Sequence, residues 1–330
     1  EVLLGSNSNH NAVTTFETLA PKDKKYWKYS GFTFLTGLLI LTFYAVVIAW
    51  IFNYIVISVT SLPTNFKESE TIFMTLLKEN IYTQLIYYTL TFVIVAITIS
   101  KGVKKGIEKM NNILMPALVI ILLVLLAYAV QLDGFMKAVN FMFYPNFEKF
   151  HSSSIIIAVG HAFFTLSIGM TAILTYAASL DKDVNIVKAS IWVIVMDTSI
   201  AILAGLIIFS ITFTAGQEPS KGPGLVFITL PAIFYEMGTI GIYLSLLFFI
   251  AVLFAAITSA VSILEPAVMY LVERKNIERK TATYSISFFV YIVGIFVLLS
   301  NTNEFSTALT FGSKNLFDWF DFISSAILLP

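Results

Sequence analysis

The sequence describes an all-α integral membrane protein, a single helical bundle over residues 1–330, and three observations lead there. Only 12% of the residues are charged while 58% are hydrophobic; a soluble chain is about 25% charged. Mean hydropathy is +0.85. Apolar runs recur that are long enough to cross ~30 Å of hydrocarbon at ~1.5 Å per residue.

Taken in order, the spans fall near 31–59, 82–100, 112–131, 154–180, 187–214, 239–272 and 282–300. A last apolar run begins near Phe320 and stops at Pro330, too short to cross. Glu1 to Gly5 reads as the tail of a helix that starts earlier. With no initiator Met and no signal peptide, the expectation is a chain cut at both ends.

Lysine and arginine placement sets the orientation. One set of alternate loops carries Lys22, Lys24, Lys25, Lys28, Lys101, Lys104, Lys105, Lys109, Lys182, Lys188, Arg274, Lys275, Arg279 and Lys280. The other carries only Lys67, Lys78, Lys137, Lys149, Lys221 and Lys314. The excess of positive charge places residues 6–30, 101–111, 181–186 and 273–281 in the cytoplasm. Between the spans, segment 222–238 is apolar but contains Pro223 and Pro231. Proline interrupts helix, so this segment is expected to form a re-entrant or capping hairpin rather than a crossing; an amphipathic loop helix is the alternative.

Several function classes drop out. Twenty basic residues balance twenty acidic ones, which gives no basic surface for nucleic acid. The absence of cysteine removes disulfides, thiolate zinc sites and iron–sulfur clusters. No phosphate-binding Gly-x-x-x-x-Gly-Lys loop, nucleophile elbow or His-Glu-x-x-His motif occurs. His161 has no second histidine one helical turn away.

Polar groups at bilayer depth are costly and mark function. Asp197 lies about halfway through its span, and Glu265, followed by Pro266, lies eight residues before the Glu273-Arg274-Lys275 border. Each also has a structural reading, as a protonated buried acid or as a partner for backbone that a proline frees. Within 154–180, the stretch Gly160 to Thr171 gathers Gly, Ser and Thr, and an unwound segment near Ser167–Gly169 is expected. Broken midplane helices aim helix ends and free carbonyls at substrates and ions in secondary transporters; close packing through small residues is the alternative. Thr258, Ser259, Ser262 and Glu265 form one helical stripe. Hydroxyl and carbonyl oxygens are hard ligands suited to an alkali cation. Tyr44 adds a phenol in span 31–59.

Four segments resemble the neurotransmitter:sodium symporter family. Phe163-Phe164-Thr165-Leu166-Ser167-Ile168-Gly169-Met170 looks like its unwound sixth helix, and Ala255-Ala256-Ile257-Thr258-Ser259 like its eighth. Phe227 to Phe234 is similar to its fourth outer loop, and Lys101 to Glu108 to the inner loop between helices four and five. The resemblance covers nearly the whole chain. It implies a leucine-transporter-type bundle lacking its first helix, with about seven complete spans and two partial ones, starting in the second helix and ending at Pro330 within the tenth. It further implies a bacterial amino-acid transporter, multi-pass in the inner membrane, with sodium as coupling ion and no organic cofactor.

Residue by residue, the resemblance implies a second sodium site at Ala255 (by its carbonyl), Thr258 and Ser259, and first-site positions at Thr165 and Asp197. Asp197 stands where the leucine-transporter type carries Asn; a fixed carboxylate replaces the chloride that some members need, so chloride independence is expected. Ile40, Tyr44, Phe164, Ser167, Met170, Ser259 and Ile263 are implied as substrate pocket. Tyr44 would bond the substrate carboxylate and Phe164 would close over it. Met170 stands in place of Phe, and its flexibility suits a hydrophobic or aromatic substrate. Asp321 resembles the outer gate, and His161 replaces a gate-lining Gln. The competing reading is a transport-inactive, truncated or split polypeptide needing a partner chain; an ion channel is a weaker third.

Overall fold

The apolar runs fold as helices because a backbone in hydrocarbon must satisfy its own hydrogen bonds. The computed structural model describes residues 1–145, 147, 150–180, 183–219 and 222–329. Lys149, Lys182, Lys221 and Pro330, used above for loop charge and for the end of the last run, lie outside the described residues. In chain order the helices are α1 (Val2–Ser8), α2 (Ala12–Leu19), α3 (Phe34–Thr60), α4 (Phe66–Lys78), α5 (Ile81–Ser100), α6 (Lys109–Ala129) and α7 (Phe135–Phe143). There follow α8 (Ser152–Thr165), α9 (Ala172–Ala177), α10 (Ile186–Thr214), α11 (Leu230–Glu236), α12 (Thr239–Lys275), α13 (Arg279–Leu299) and α14 (Leu316–Ile323). A two-residue antiparallel ribbon, Thr310–Phe311 on Lys314–Asn315, precedes α14.

Six helical stretches among the described residues are long and apolar enough to cross a membrane: those ending in α3, α5, α6, α10, α12 and α13. The expected span 154–180 is present but divided between α8 and α9. Several starts are set by asparagine side chains that accept a backbone N–H the first turn leaves free. Asn11, Asn65, Asn185 and Asn315 do this for Thr14, Glu68, Lys188 and Asp318 at 2.8–3.1 Å.

The basic loops gather at one end of the bundle. There Asn11 donates twice to Glu273, at 2.6 and 3.0 Å, and Arg274 pairs with Glu17 at 2.6 Å. Arg279 donates from Nε to the Ile99 carbonyl at the end of α5 (2.9 Å). At the opposite end Ser69 donates to the Ile228 carbonyl at 2.7 Å, and the Asn303 N–H to that of Lys78 at 3.0 Å. The charge rule and the topology agree.

Segment 222–238 does not cross, as expected, but it is no hairpin. It forms a widened π-turn, Leu225–Thr229, running into α11, with Pro231 in the first turn of that helix. Proline has no N–H for the carbonyl four residues back, and the turn before it widens accordingly. Its Phe227 packs on Trp50 and Phe73 with ring centroids 5.9 and 5.3 Å apart, which seats the segment on the outer end of α3. Trp50 also donates to Gln84 (3.0 Å), whose amide donates to the Leu76 carbonyl (2.5 Å), so one buried amide ties α3, α4 and α5 together.

Candidate functional site

The break between α8 and α9 comes from backbone that no helix accommodates. Ser167, Gly169 and Thr171 have φ of 55°, 90° and 59°. Glycine adopts this region freely, whereas each L-side chain there costs roughly 1–2 kcal/mol. Residues 166–171 therefore leave the regular helical ladder: the Leu166, Ser167 and Ile168 N–H groups still reach carbonyls of α8, but the next N–H does not. The Gly169 N–H donates to Glu1 Oε1 at 2.7 Å. At the last residue of α8, Thr165 Oγ1 donates to Asp197 Oδ1 of α10 at 2.9 Å. The expected unwound stretch is present, and the two residues that the resemblance implies for a first site are hydrogen-bonded beside it.

A second set of oxygens lies on α12. Thr258 Oγ1 sits 2.9 Å from the Ala255 carbonyl and 3.1 Å from that of Phe254. One turn on, Ser262 Oγ donates to the Thr258 carbonyl (3.0 Å) and receives the Tyr176 hydroxyl of α9 (3.3 Å). Ser259, beside Thr258, is exposed on the helix surface and approached by the Tyr44 hydroxyl of α3. Among the described residues no hydrogen bond joins this set to the Thr165–Asp197 pair. No group of three His, Asp or Glu side chains is placed to hold a metal ion either. Any cation here must rely on hydroxyl, carbonyl and lone carboxylate oxygens.

The apolar part of the implied pocket is buried: Ile40, Met170 and Ile263 are 1%, 3% and 8% exposed. Met170 and Ile263 meet at Gly37 of α3, where a Cβ would lie 3.2 Å from the Ile263 side chain and 3.9 Å from Met170 Cβ. Gly37 was not singled out in the sequence; its signal was a lone glycine inside an otherwise bulky apolar helix. Phe164 and His161 are exposed on α8. Asp321 is exposed too; its main-chain carbonyl accepts the Ser324 and Ser325 hydroxyls at 3.0 and 2.6 Å, and its carboxylate makes no ion pair among the described residues.

Glu265 belongs elsewhere. It is fully buried and receives Arg279 Nη2 on both carboxylate oxygens at 2.7 and 2.6 Å. This ion pair gives the buried acid its partner. It joins the cytoplasmic ends of α12 and α13.

Residues 76–321 match the model of the sodium:neurotransmitter symporter family. The chain is 32% identical over 336 residues to an uncharacterized sodium-dependent transporter of Bacillus subtilis, YhdH, covering 100% of this chain and 72% of the relative. It is 32% identical over 339 residues to one from Haemophilus influenzae, covering 99% and 74%. Among solved structures it is similar to MhsT in complex with L-phenylalanine, at 34% identity and a TM-score of 0.88, over 100% of this chain and 74% of that one.

Proposed function

The chain belongs to the sodium:neurotransmitter symporter family, a multi-pass, sodium-coupled membrane transporter rather than an enzyme, and from that premise we propose that its cargo is a hydrophobic or aromatic amino acid moved by alternating access. The observation that carries the proposal is the interrupted helix, with Thr165 at its break held on Asp197 of α10. An irregular turn inside a span can aim backbone groups at a zwitterion, and a neighbouring carboxylate supplies charge for a cation. The phenylalanine in the similar MhsT structure supports the substrate class.

In this reading Thr165 and Asp197 bind one sodium, and Ala255, Thr258 and Ser259 the other. Tyr44 and Ser259, whose hydroxyls approach each other, and the unwound Ser167 orient the amino acid. Ile40, Met170 and Ile263 line its side chain, Phe164 closes over it, and His161 and Asp321 belong to the outer gate. Sodium that ligates groups from separate helices favours the conformation in which those groups meet, so its gradient drives uptake.

The test is sodium-dependent uptake of L-phenylalanine by the full-length protein. Thr258→Ala removes one oxygen, and the sodium concentration for half-maximal uptake should rise roughly tenfold, a loss of about 1.4 kcal/mol. An unchanged titration defeats the assignment of Thr258. Replacing chloride with gluconate should leave uptake unaltered, because Asp197 supplies a fixed negative charge; chloride-stimulated uptake would count against that role.

A further inference from the structure

We infer that the groove between α5 and α13 binds an anionic phospholipid of the cytoplasmic leaflet. The groove measures about 760 Å³, and its walls include Val93 and Ile97 of α5 and Tyr284 and Phe288 of α13. These four are 47%, 44%, 50% and 65% exposed, so among the described residues nothing covers the groove along the side of the bundle. Toward mid-depth its two walls are joined by the hydrogen bond between Thr89 and Tyr291 (2.9 Å).

Helical spacing says what lies at the other end. Thr89, Val93 and Ile97 are four residues apart on one face, and the next position of that stripe is Lys101. On α13 Phe288 and Tyr284 form the facing stripe, and the next position toward the cytoplasm is Lys280. Both lysines are exposed, and neither makes an ion pair among the described residues. Arg279 is already committed to Glu265 and to the Ile99 carbonyl. The two apolar stripes therefore end in two uncommitted ammonium groups on the cytoplasmic side.

From Lys101 to Thr89 is twelve residues, about 18 Å of helix at ~1.5 Å per residue, close to one leaflet of hydrocarbon, about half of ~30 Å. A phospholipid fits this layout, with its phosphate on the lysines and an acyl chain between the stripes. A basic pocket between helices on the cytoplasmic side recognises such headgroups. A second copy of the chain fits less well, since a twofold contact through this face would bring four lysines together.

Native mass spectrometry of the full-length protein in detergent tests this, with phosphatidylglycerol and phosphatidylcholine of the same acyl chains. Phosphatidylglycerol should bind more tightly by roughly fivefold per lysine. Lys101→Ala/Lys280→Ala should abolish the preference, and Lys22→Ala/Lys24→Ala, on the same side of the membrane, should keep it. On the unaltered protein, a phosphatidylglycerol with a photoreactive acyl chain should label peptides from α5 and α13. The inference is overturned by equal loss in both double variants, by no preference between the lipids, by labelling elsewhere, by displacement with millimolar inorganic phosphate, or by a lipid-free dimer.

Discussion

Helices α3 and α10 are 27 and 29 residues long and both strongly apolar, yet the bundle uses them in opposite ways. In the stretch that ends with α3, 72% of the most apolar window is buried; in α10 the figure is 6%. Helix α3 packs against α5, α12 and α13, and its inner face carries Thr42, Trp50 and Tyr54 in that core. Helix α10 instead turns Val187, Ile191, Trp192 and Val193 outward and meets the broken helix through Asp197. The first region is a frame fixed by side-chain interlock. The second packs on α6 and α7 along its far half and, among the described residues, leaves its cytoplasmic half largely uncovered.

The comparison breaks most sharply at Arg279. Arg279→Ala leaves the Glu265 carboxylate buried without a partner, and frame stability should fall by about 3–5 kcal/mol. Thermal unfolding in detergent reads this directly. An unchanged midpoint would mean that the cytoplasmic ends of α12 and α13 are not part of a frame at all.

A pair of alanine substitutions sharpens the contrast. In Gly294→Ala the new methyl meets the Tyr88 hydroxyl and lies 2.9 Å from the Thr42 carbonyl, so overpacking of about 1–3 kcal/mol is expected. In Gly160→Ala on α8 nothing lies within 4 Å, and the helix should gain about 0.5–1 kcal/mol. Equal midpoints for the two variants would erase the distinction between the regions.

The smallest effect concerns the cytoplasmic rim. The Arg274 hydrogen bond holds the Glu17 carboxyl below its ordinary value of 4.5. A lowered folded value stabilises the docked α2 above 4.5 and loses that contribution as pH falls through the folded value beneath it. The pair is exposed, so the step is shallow. Hydrogen exchange of α2 amides, corrected for intrinsic rates, should show protection declining below pH 4.5, and Arg274→Ala should abolish the decline.

Much of the frame was legible because its information is periodic: apolar runs gave the spans, and alternating lysines gave their orientation. The break at 166–171 was legible because Ser167 and Gly169 weaken the helix locally. Thr171 gave no warning of its left-handed backbone, since a β-branched residue there is held by its surroundings rather than by its own preference. Glu265 was visible as a buried acid, but its partner was not. Arg279 sits fourteen residues on and looks like another orienting charge until α12 and α13 fold side by side. The α1 contact is also long-range: no local pattern says that Glu1 will reach Gly169.

The hydroxyl of Thr258 has one proton and three acceptors within reach: the carbonyls of Ala255 and Phe254 and, at 3.8 Å, the weakly accepting Met115 sulfur. It is a rotor with two strong stops. With its proton on Ala255, it occupies the lone pair that the proposed sodium site needs. With its proton on Phe254, the Ala255 carbonyl is released from that bond. A cation arriving there must first throw the rotor to the Phe254 stop. The difference between two neutral hydrogen bonds, at most about 1 kcal/mol, then enters the ion affinity as a built-in discount. On the proposed assignment, one torsion angle thus contributes to how concentrated sodium must be before the transporter responds.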